Sequence, residues 1–511
     1  MYAYNKLYSH YKKLYPKYLK RLTLVLNDCH QKQFNEEYWE SIIGLYLRRF
    51  IINYLFSRKS RKRKLQKKIE LKKIEFFKSY SEFANNIDYK KINYEYFFIQ
   101  NKFKDFNNFK LKKINFFNKI SNTIITFLPN ILVRFGVTKI FFQESYFKKK
   151  LKNLFSLNSI FFINSLPSLN VENYKVDKKK IFVNRMNMIK KYRIYDPKDF
   201  LFQNLIFSMP INYIENYSVI LNEVKKINLV NALYIDGNEV KFDFIKFYIS
   251  ELKIKKKKII TGQHSLRSGI QDFDTYFDYS KSISDYFLTW GWSDKFKSIV
   301  SYSSTRIFSS LNKFKRVEKI ENLRNDICFI LCSFSEYGEC LYDNFFENKK
   351  AENQRIDLLK NLKKLKNFNI ILKPREGSFL IKKKSSFYKN LKVLRDKTRM
   401  YEIFGNYKVI IFERLSLGIV ESMYLNQPVV FYYPKNLYKQ KNKKYIELLT
   451  SLKKANIFFD NKENFLRLLK SKKNIDSWWN SKNNVKNREK FLKKFANCFN
   501  YKDFDKLKKL I

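Results

Sequence analysis

Apolar residues are spaced in two different ways along the chain. Up to about residue 120 they recur three and four positions apart among charged residues, as in FKDFNNFKLKKINFFNKI at 103–120, which predicts helices lying on a core. From about residue 123, short apolar runs alternate with helical patterns, and this alternation is typical of a parallel α/β sheet. The strand-like runs in this part are TKIFFQES, NSIFFINS, NALYIDGN and KKIITGQHS.

A polar segment, SLNKFKRVEKIENLRN at 310–325, interrupts the alternation. The pattern then restarts with the strand-like runs NDICFILCSFS, NFNIILKPRE, YKVIIFER, PVVFYYP and NIFFD. Because 511 residues exceed the roughly 250 to 300 that one core usually serves, we expect more than one domain. The segment at 310–325 is therefore predicted to link two α/β units.

The predicted architecture is an α/β fold in which two Rossmann-like domains face a cleft and a helical region precedes them. The predicted parts are a helical, basic region at 1–120, a first Rossmann-like domain at 121–315, a second at 326–475 and a carboxyl-terminal helix at 476–511.

The formal net charge of the chain is +56, from 103 Lys and Arg against 47 Asp and Glu. The excess is mostly lysine and is spread from end to end, whereas arginine is the residue suited to bidentate recognition of bases and phosphates. We interpret the charge as a lysine-coated surface, with attraction to an anionic membrane as the alternative, and expect no specific nucleic-acid partner. An aromatic content of 18% argues against a disordered chain.

A basic run, SRKSRKRKLQKKIELKK, begins at Ser57 after an aromatic, apolar stretch that begins at Tyr38. A basic helix beside an amphipathic one can hold a protein on the inner leaflet, each cation contributing about 1 kcal/mol. No run reaches the roughly 18 apolar residues that span a bilayer, and the start of the chain lacks the apolar core of a signal peptide. The expected location is the cytoplasm, with peripheral contact to the inner membrane.

Residues 261–292 gather residue types that are rare elsewhere in the chain, including three of its ten glycines and one of its three histidines. Ligands of open α/β sheets bind at the carboxyl ends of strands, and the run KKIITGQHS ends at His264. His264 is predicted to act as a general base or as a hydrogen-bond donor to a ligand; alternatively, it is a satisfied polar residue that caps the strand. Arg267 adds a cation, and we expect Asp285 and Trp290 to line the same side of the cleft.

The same segment contains Asp272 and Asp274, a DxD pair of the kind that can hold a divalent metal on a nucleotide diphosphate. So short a motif often arises by chance, and the five cysteines do not have the spacing of a zinc site. The sequence therefore predicts no metal and no cofactor.

The run VIIFERLSLGIVESMYLNQPVVFYYP, at 409–434, predicts a strand, a tight loop, a helix and another strand. Backbone N–H groups at the helix start near Gly418, with the Ser416 hydroxyl, would form an anion site suited to a diphosphate. Glu421 lies on the helix, where a carboxylate can accept hydrogen bonds from ribose hydroxyls, and Glu413 lies at the end of the preceding strand. The alternative is an ordinary βαβ unit with surface glutamates.

Two cations, Lys373 and Arg375, follow the apolar strand of IILKPRE, with Pro374 between them. Cations at the carboxyl end of a strand suit a diphosphate or the negative charge that develops on a leaving group.

The order of these motifs resembles a bacterial transferase family that is encoded in surface-polysaccharide and O-antigen gene clusters. The similar motifs are NDCHQKQFNEEYWESIIGLYLRRFI from Asn27, QH at 263–264, ISDYFLTWGW, LKPRE and the helix with Glu421 ahead of NQPVVFYYP. The resemblance implies the two-domain GT-B fold of glycosyltransferases, with 121–315 on the acceptor side and 326–475 on the nucleotide-donor side. It implies a metal-independent enzyme that moves a sugar from a nucleotide-sugar to a surface polysaccharide or lipopolysaccharide precursor, a glycan or lipid-linked acceptor.

Under this resemblance each candidate residue has a role. The catalytic candidates are His264 and Glu413, the donor-binding candidates are Lys373, Arg375, Ser416, Gly418 and Glu421, and the acceptor or cleft candidates are Arg267, Asp285 and Trp290. Two alternatives stay open. The motifs are similar, more distantly, to polyol-phosphate transferases of teichoic-acid type, and a non-enzymatic binder of polyanions or membrane surfaces would need only the cationic surface.

Overall fold

A computed structural model describes a set of ranges that together cover most of the chain. These ranges are 2–60, 76–86, 140–143, 162–163, 177–192, 199–236, 242–271, 274–311, 316–331, 345–365, 367–374, 391–395, 398–433, 442–470, 472–500 and 502–510. The helix expected at 103–120 lies outside them.

The helices of the amino-terminal half are α1 (Tyr2–His30), α2 (Glu36–Ser60), α3 (Tyr80–Asn86), α4 (Lys178–Lys191), α5 (Phe200–Ser208), α6 (Tyr217–Lys225), α7 (Asp243–Ile254), α8 (Thr275–Ile283) and α9 (Thr305–Leu311). Those that follow are α10 (Phe345–Lys363), α11 (Leu417–Tyr424), α12 (Lys443–Lys454), α13 (Lys462–Leu468), α14 (Lys472–Asn480), α15 (Lys482–Phe495) and α16 (Asp503–Lys508). Short 3-10 turns lie at Ile211–Tyr213, Ile320–Asn322 and Met400–Glu402.

The strands divide between two sheets. The first sheet contains β1 (Ile140–Gln143), β2 (Phe162–Ile163), β3 (Ala232–Asp236), β4 (Lys258–Gly262), β5 (Tyr286–Thr289) and β6 (Ile299–Ser301). The second contains β7 (Asp326–Ile330), β8 (Asn369–Lys373), β9 (Lys392–Val393), β10 (Val409–Phe412), β11 (Val429–Tyr432) and β12 (Phe458–Phe459).

Every strand pairing among the described residues is parallel. The first sheet has the order β2-β1-β3-β4-β5-β6, and the second has β12-β11-β10-β7-β8-β9. The second order is that of the dinucleotide-binding fold, in which the chain winds outwards from a central first strand in both directions. Its strands β10 and β11 are buried at every position, as parallel strands covered on both faces are. The prediction of an α/β fold with two Rossmann-like domains is confirmed.

Helix α2 forms the centre of the amino-terminal helices. All its residues from Tyr38 to Asn53 are buried, and α1, α5, α7 and α8 pack around it. The stretch expected to lie beside a membrane is therefore a core helix, in which even the charged side chains of Glu40 and Arg48 are buried, as an ion pair. The basic run beyond Ser60 lies outside the described residues. Among the helices that the structure describes, none is both long and apolar enough to cross a bilayer.

The carboxyl-terminal residues return to the first domain. Residues 476–511, expected to form one helix, contain the end of α14 together with α15 and α16. After α15, the residues from 496 onwards form a crossing segment that returns to the first sheet. There the Asn497 N–H donates to the Trp290 carbonyl at 2.9 Å, and the Asn497 carbonyl accepts from the Ser304 N–H at 2.7 Å. Phe499 and Leu507 then pack on β3, β4 and β5. These two apolar residues are too far apart to form a pattern that predicts a core.

The two domains share one apolar core. Leu266 and Trp292 of the first domain belong to the same buried cluster as Phe412 and Ile419 of the second. Helix α9, which begins after β6, packs on α11, which begins after β10. Because each helix starts at the carboxyl edge of its own sheet, the two carboxyl edges border a common region.

Candidate functional site

The carboxyl end of β4 is fixed by the side chain of Gln263. This side chain is fully buried, and its Oε1 accepts hydrogen bonds from the Trp290 backbone N–H and from the Trp292 indole Nε1, each at 2.8 Å. Its Nε2 donates to the Ser265 carbonyl at 2.8 Å. Gln263 thereby ties the loop after β4 to the loop after β5 and sets the position of His264 between them.

His264 is partly buried and lies against Arg306, the second residue of α9. The Arg306 Nη1 donates to the His264 carbonyl at 2.8 Å and lies 3.1 Å from both Nδ1 and Nε2 of the imidazole ring. Arg306 could not be selected from the sequence, because this arginine, within TRIFSS, neither follows a strand-like run nor belongs to a motif. The structure places this cation directly against the candidate base.

Arg267 lies in the turn after His264 and is partly buried. Its carbonyl accepts from the backbone N–H groups of Ile270 and Gln271, at 3.0 and 3.2 Å. Arg267 is therefore on the same loop as His264, at the carboxyl edge of the first sheet.

Trp290 and Asp285 do not lie where the sequence analysis expected them. Trp290 is 2% exposed and packs in the core shared by the two domains, so it supports the cleft from behind and does not line it. The Asp285 carboxylate accepts from the Ile259 N–H at 2.8 Å, near the start of β4. Since β4 runs about 13 Å between its ends at roughly 3.3 Å per residue, Asp285 lies at the opposite edge of the sheet from His264. Proximity in sequence does not show which end of a strand a residue occupies.

In the second domain, Ser416 is the residue that precedes α11, and its backbone is extended. Its hydroxyl makes no capping hydrogen bond, and the oxygen is buried with no hydrogen-bond partner among the described residues. The first turn of α11 therefore presents backbone N–H groups beside a hydroxyl that has capacity to bind. This arrangement favours an anion.

Gly418 and Glu421 lie on α11 itself, and both are buried. A β-carbon on Gly418 would lie 2.6 Å from the Phe412 ring, so the absence of a side chain lets the helix approach β10. Gly418 was predicted to bind the donor, but its observed role is this packing. Glu421 is one turn further along and is 6% exposed.

Glu413, predicted as catalytic, is held by an arginine. The Arg355 Nε donates to one carboxylate oxygen at 2.7 Å, and Nη2 donates to the other in the same ion pair. A bidentate pair of this kind stabilises the carboxylate as a fixed anion. Glu413 thereby anchors α10 to the end of β10, and its predicted catalytic role stays a prediction.

Lys373 ends β8 and is buried, with its Nζ donating to the Pro374 carbonyl at 2.6 Å. It lies at the same carboxyl edge of the second sheet as Ser416. Arg375 lies outside the described residues.

The carboxylate of Asp274 caps α8, accepting from the N–H groups of Tyr276 and Phe277 at 3.0 and 3.1 Å. Its partner in the DxD pair, Asp272, lies outside the described residues. Over the part of the chain that the structure describes, no group of three or more His, Cys, Asp or Glu residues is placed to hold a metal ion.

Solved structures similar to this chain include several transferases at low identity. The crystal structure of TarM is 12% identical, with a TM-score of 0.36, and the match covers 58% of this chain and 58% of TarM. The wall teichoic acid polymerase TagF is 12% identical, with a TM-score of 0.34, over 77% of this chain and 98% of TagF. The spinosyn rhamnosyltransferase SpnG complexed with spinosyn aglycone is 6% identical, with a TM-score of 0.31, over 73% of this chain and 100% of SpnG.

A search of curated proteins found no match. The sequence model of a family described as LIC12162 family transferase matches residues 3–510. That match takes in both sheets, the amino-terminal helices and the carboxyl-terminal crossing, and the chain therefore belongs to the LIC12162 family of transferases.

Proposed function

We propose that this transferase moves a sugar from a nucleotide-sugar donor to a bacterial surface polysaccharide or lipopolysaccharide precursor. The observation that carries the proposal is the position of α11. In the second sheet the chain runs from β7 outwards through β8 and β9 on one side, and from β10 outwards through β11 and β12 on the other, so the strand order reverses between β10 and β7. Ligands of such sheets bind at that reversal, outside the carboxyl ends of the strands. Ser416 and the first turn of α11 follow β10 at this point.

In this proposal the donor diphosphate lies at the start of α11. The helix dipole, the backbone N–H groups and the Ser416 hydroxyl would bind its oxygens, and Lys373 at the end of β8 would add positive charge. Arg375, two residues later, is proposed for the same role from its sequence position. Glu421 would accept hydrogen bonds from the ribose. Charge on the departing diphosphate would be stabilised by these groups, and we propose that no metal is needed.

The acceptor would approach from the first domain. His264 follows β4 and would take the proton from the acceptor hydroxyl, with Arg267 on the same loop. We propose that the acceptor is a glycan or a lipid-linked precursor. Outward-facing lysines such as Lys13, Lys17 and Lys20 on α1 favour approach to an anionic inner-leaflet surface.

The proposal is tested by thermal unfolding with a panel of nucleoside diphosphates at physiological salt. One nucleotide at a hundredfold excess over its Kd should stabilise the protein by about 2.7 kcal/mol, because it binds only the folded state. Glu421→Gln should reduce this effect, whereas Glu463→Gln, at an exposed position on α13, should not. In a transfer assay with the corresponding nucleotide-sugar, His264→Ala should lower the rate at least about tenfold.

Two results would contradict the proposal. Stabilisation by any polyanion alike, disappearing as salt rises, would favour a cationic binding protein. Full transfer activity in both His264→Ala and Glu421→Gln would remove the site assignment.

A further inference from the structure

The contact between Arg306 and His264 is made over the face of the imidazole ring. The two ring nitrogens of the imidazole flank a single carbon, and the Arg306 Nη1 is 3.1 Å from each of them. An atom equally close to both nitrogens within the ring plane would collide with that carbon, so Nη1 lies over the face of the ring. A guanidinium group suits this position because it carries a delocalised charge and five donors in a fixed arrangement. Arg306 therefore does not occupy the in-plane direction of either ring nitrogen.

The same Nη1 also holds the backbone of His264, through a 2.8 Å hydrogen bond to its carbonyl. One guanidinium group thus fixes both the main chain and the ring of this residue. The arrangement restricts rotation of the imidazole, and a reacting group must be held close to its productive geometry for efficient transfer.

The helix that carries Arg306 is itself firmly placed. The Ser304 hydroxyl accepts from the Ile307 N–H at 3.1 Å, and the Ser304 N–H donates to Asn497 of the crossing segment at 2.7 Å. Ile307, next to Arg306, is fully buried in the core shared by the two domains, with Ile419 of α11 in the same cluster. Arg306 therefore lies on a helix that packs directly on α11.

We infer that Arg306 is a positioning residue for His264 and that it links the orientation of the imidazole to the placement of the donor-side helix α11. This inference rests on the proposed function for the role of His264 in proton transfer. The contact itself rests on the observed geometry alone.

The contact is tested without any substrate, by NMR of the imidazole nitrogens in ¹⁵N-labelled protein. The chain has three histidines, so the ring signals of His264 are readily assigned against those of His10 and His30. Arg306→Gln should shift and broaden the His264 signals and leave the other two unchanged. Arg306→Lys retains the charge but not the fixed arrangement of donors, and it should broaden the His264 signals as well. Arg316→Gln, at an exposed arginine, is the matched control and should change none.

The positioning role is tested by kinetics with the nucleotide-sugar that stabilises the wild type. Arg306→Gln should lower kcat about tenfold with KM for the donor nearly unchanged, since only the geometry of the base is altered. The double variant Arg306→Gln/His264→Ala should have the same kcat as His264→Ala alone, because both changes remove the same contribution of the base.

Unmoved His264 signals in Arg306→Gln, or additive losses in the double variant, would overturn the inference. If no nucleotide-sugar stabilises the wild type, the proposed function fails, while the NMR comparison still decides whether Arg306 sets the His264 ring.

Discussion

Gln263 is the residue on which the geometry at the end of β4 depends most. Replacing it with methionine would leave the N–H of Trp290 and the indole N–H of Trp292 without their partner in a buried site. The Ser265 carbonyl would keep its hydrogen bond from the Ser268 N–H. An unsatisfied buried polar group costs about 1–3 kcal/mol. Gln263→Met should therefore lower the free energy of unfolding by at least about 2 kcal/mol in urea titrations.

Gln33→Met, at an exposed position before α2, is the control for this substitution and should be close to neutral. Equal unfolding midpoints for the two variants would show that the loops after β4 and β5 are held by other contacts.

The position of a candidate residue could be predicted from sequence where that residue lies at or directly after the end of a strand-like run. His264, Lys373 and Ser416 all lie at carboxyl edges, because strand-like runs show where strands end. Their proposed chemistry stays a prediction. Arg306 was missed because its importance depends on a contact across 42 positions, which no local pattern contains.

At the scale of elements, the end of α1 is joined to α2 and α6 through His30. Its ring stacks on Tyr217 with centroids 4.0 Å apart, lies 5.7 Å from Trp39, and its Nε2 is 3.1 Å from the Tyr213 carbonyl. Burial lowers the pKa of His30 from 6.5 to about 4; the hydrogen bond to Tyr213 opposes this shift and Lys32 adds to it. The folded protein thus holds this imidazole neutral.

This shift predicts a loss of stability in acid. Between pH 6.5 and about 4 the unfolded chain binds a proton at His30 that the folded chain does not, so stability falls as pH falls through this window. The contribution is about 3 kcal/mol across the whole window. His30→Gln should remove this part of the pH dependence, as measured by urea unfolding at pH 7, 6, 5 and about 4.

His10→Gln, at an exposed histidine on the same helix, should retain the slope of the wild type. A wild-type slope in His30→Gln would mean that other groups cause the acid sensitivity.

Strands that lie in an apolar run could be predicted from sequence, even where they are only two residues long, and a strand without such a run could not. The runs around β1, β2, β3, β4, β7, β8, β10, β11 and β12 were anticipated because each has an apolar core bounded by turn or polar residues. Strand β9, only Lys392–Val393 and exposed at both residues, has no such signal. The apolar stretch of α2 was recognised as helical, but local pattern alone could not show whether protein or lipid covers it.

At the scale of the whole molecule, the first domain is completed by residues that follow the second. Phe499 is 3% exposed and lies edge-on to Phe308, with ring centroids 5.8 Å apart, in a cluster with residues of β3, β4 and β5. Phe499→Ala should cost about 3–5 kcal/mol, the usual range for removing a buried aromatic ring. Limited proteolysis should then cut first within the first domain, even though the substitution lies beyond residue 475.

Phe296→Ala removes a ring of the first domain that is 45% exposed, and it should leave both stability and the cleavage pattern nearly unchanged. If cleavage of Phe499→Ala begins in the second domain, then the crossing segment stabilises that domain and not the first.

The crossing segment also sets an order of events during synthesis. A ribosome delivers β1 to β6 long before Phe499 and Leu507, yet among the described residues these two complete the apolar cluster on β3, β4 and β5, beside Tyr302 of the first domain. Domains generally fold as they emerge, the amino-terminal one first, but this cluster on the first sheet is complete only after the second domain has been translated. We therefore expect a nascent chain of this protein to expose apolar residues of β3, β4 and β5 until its last residues emerge, and to bind chaperones that recognise such surfaces.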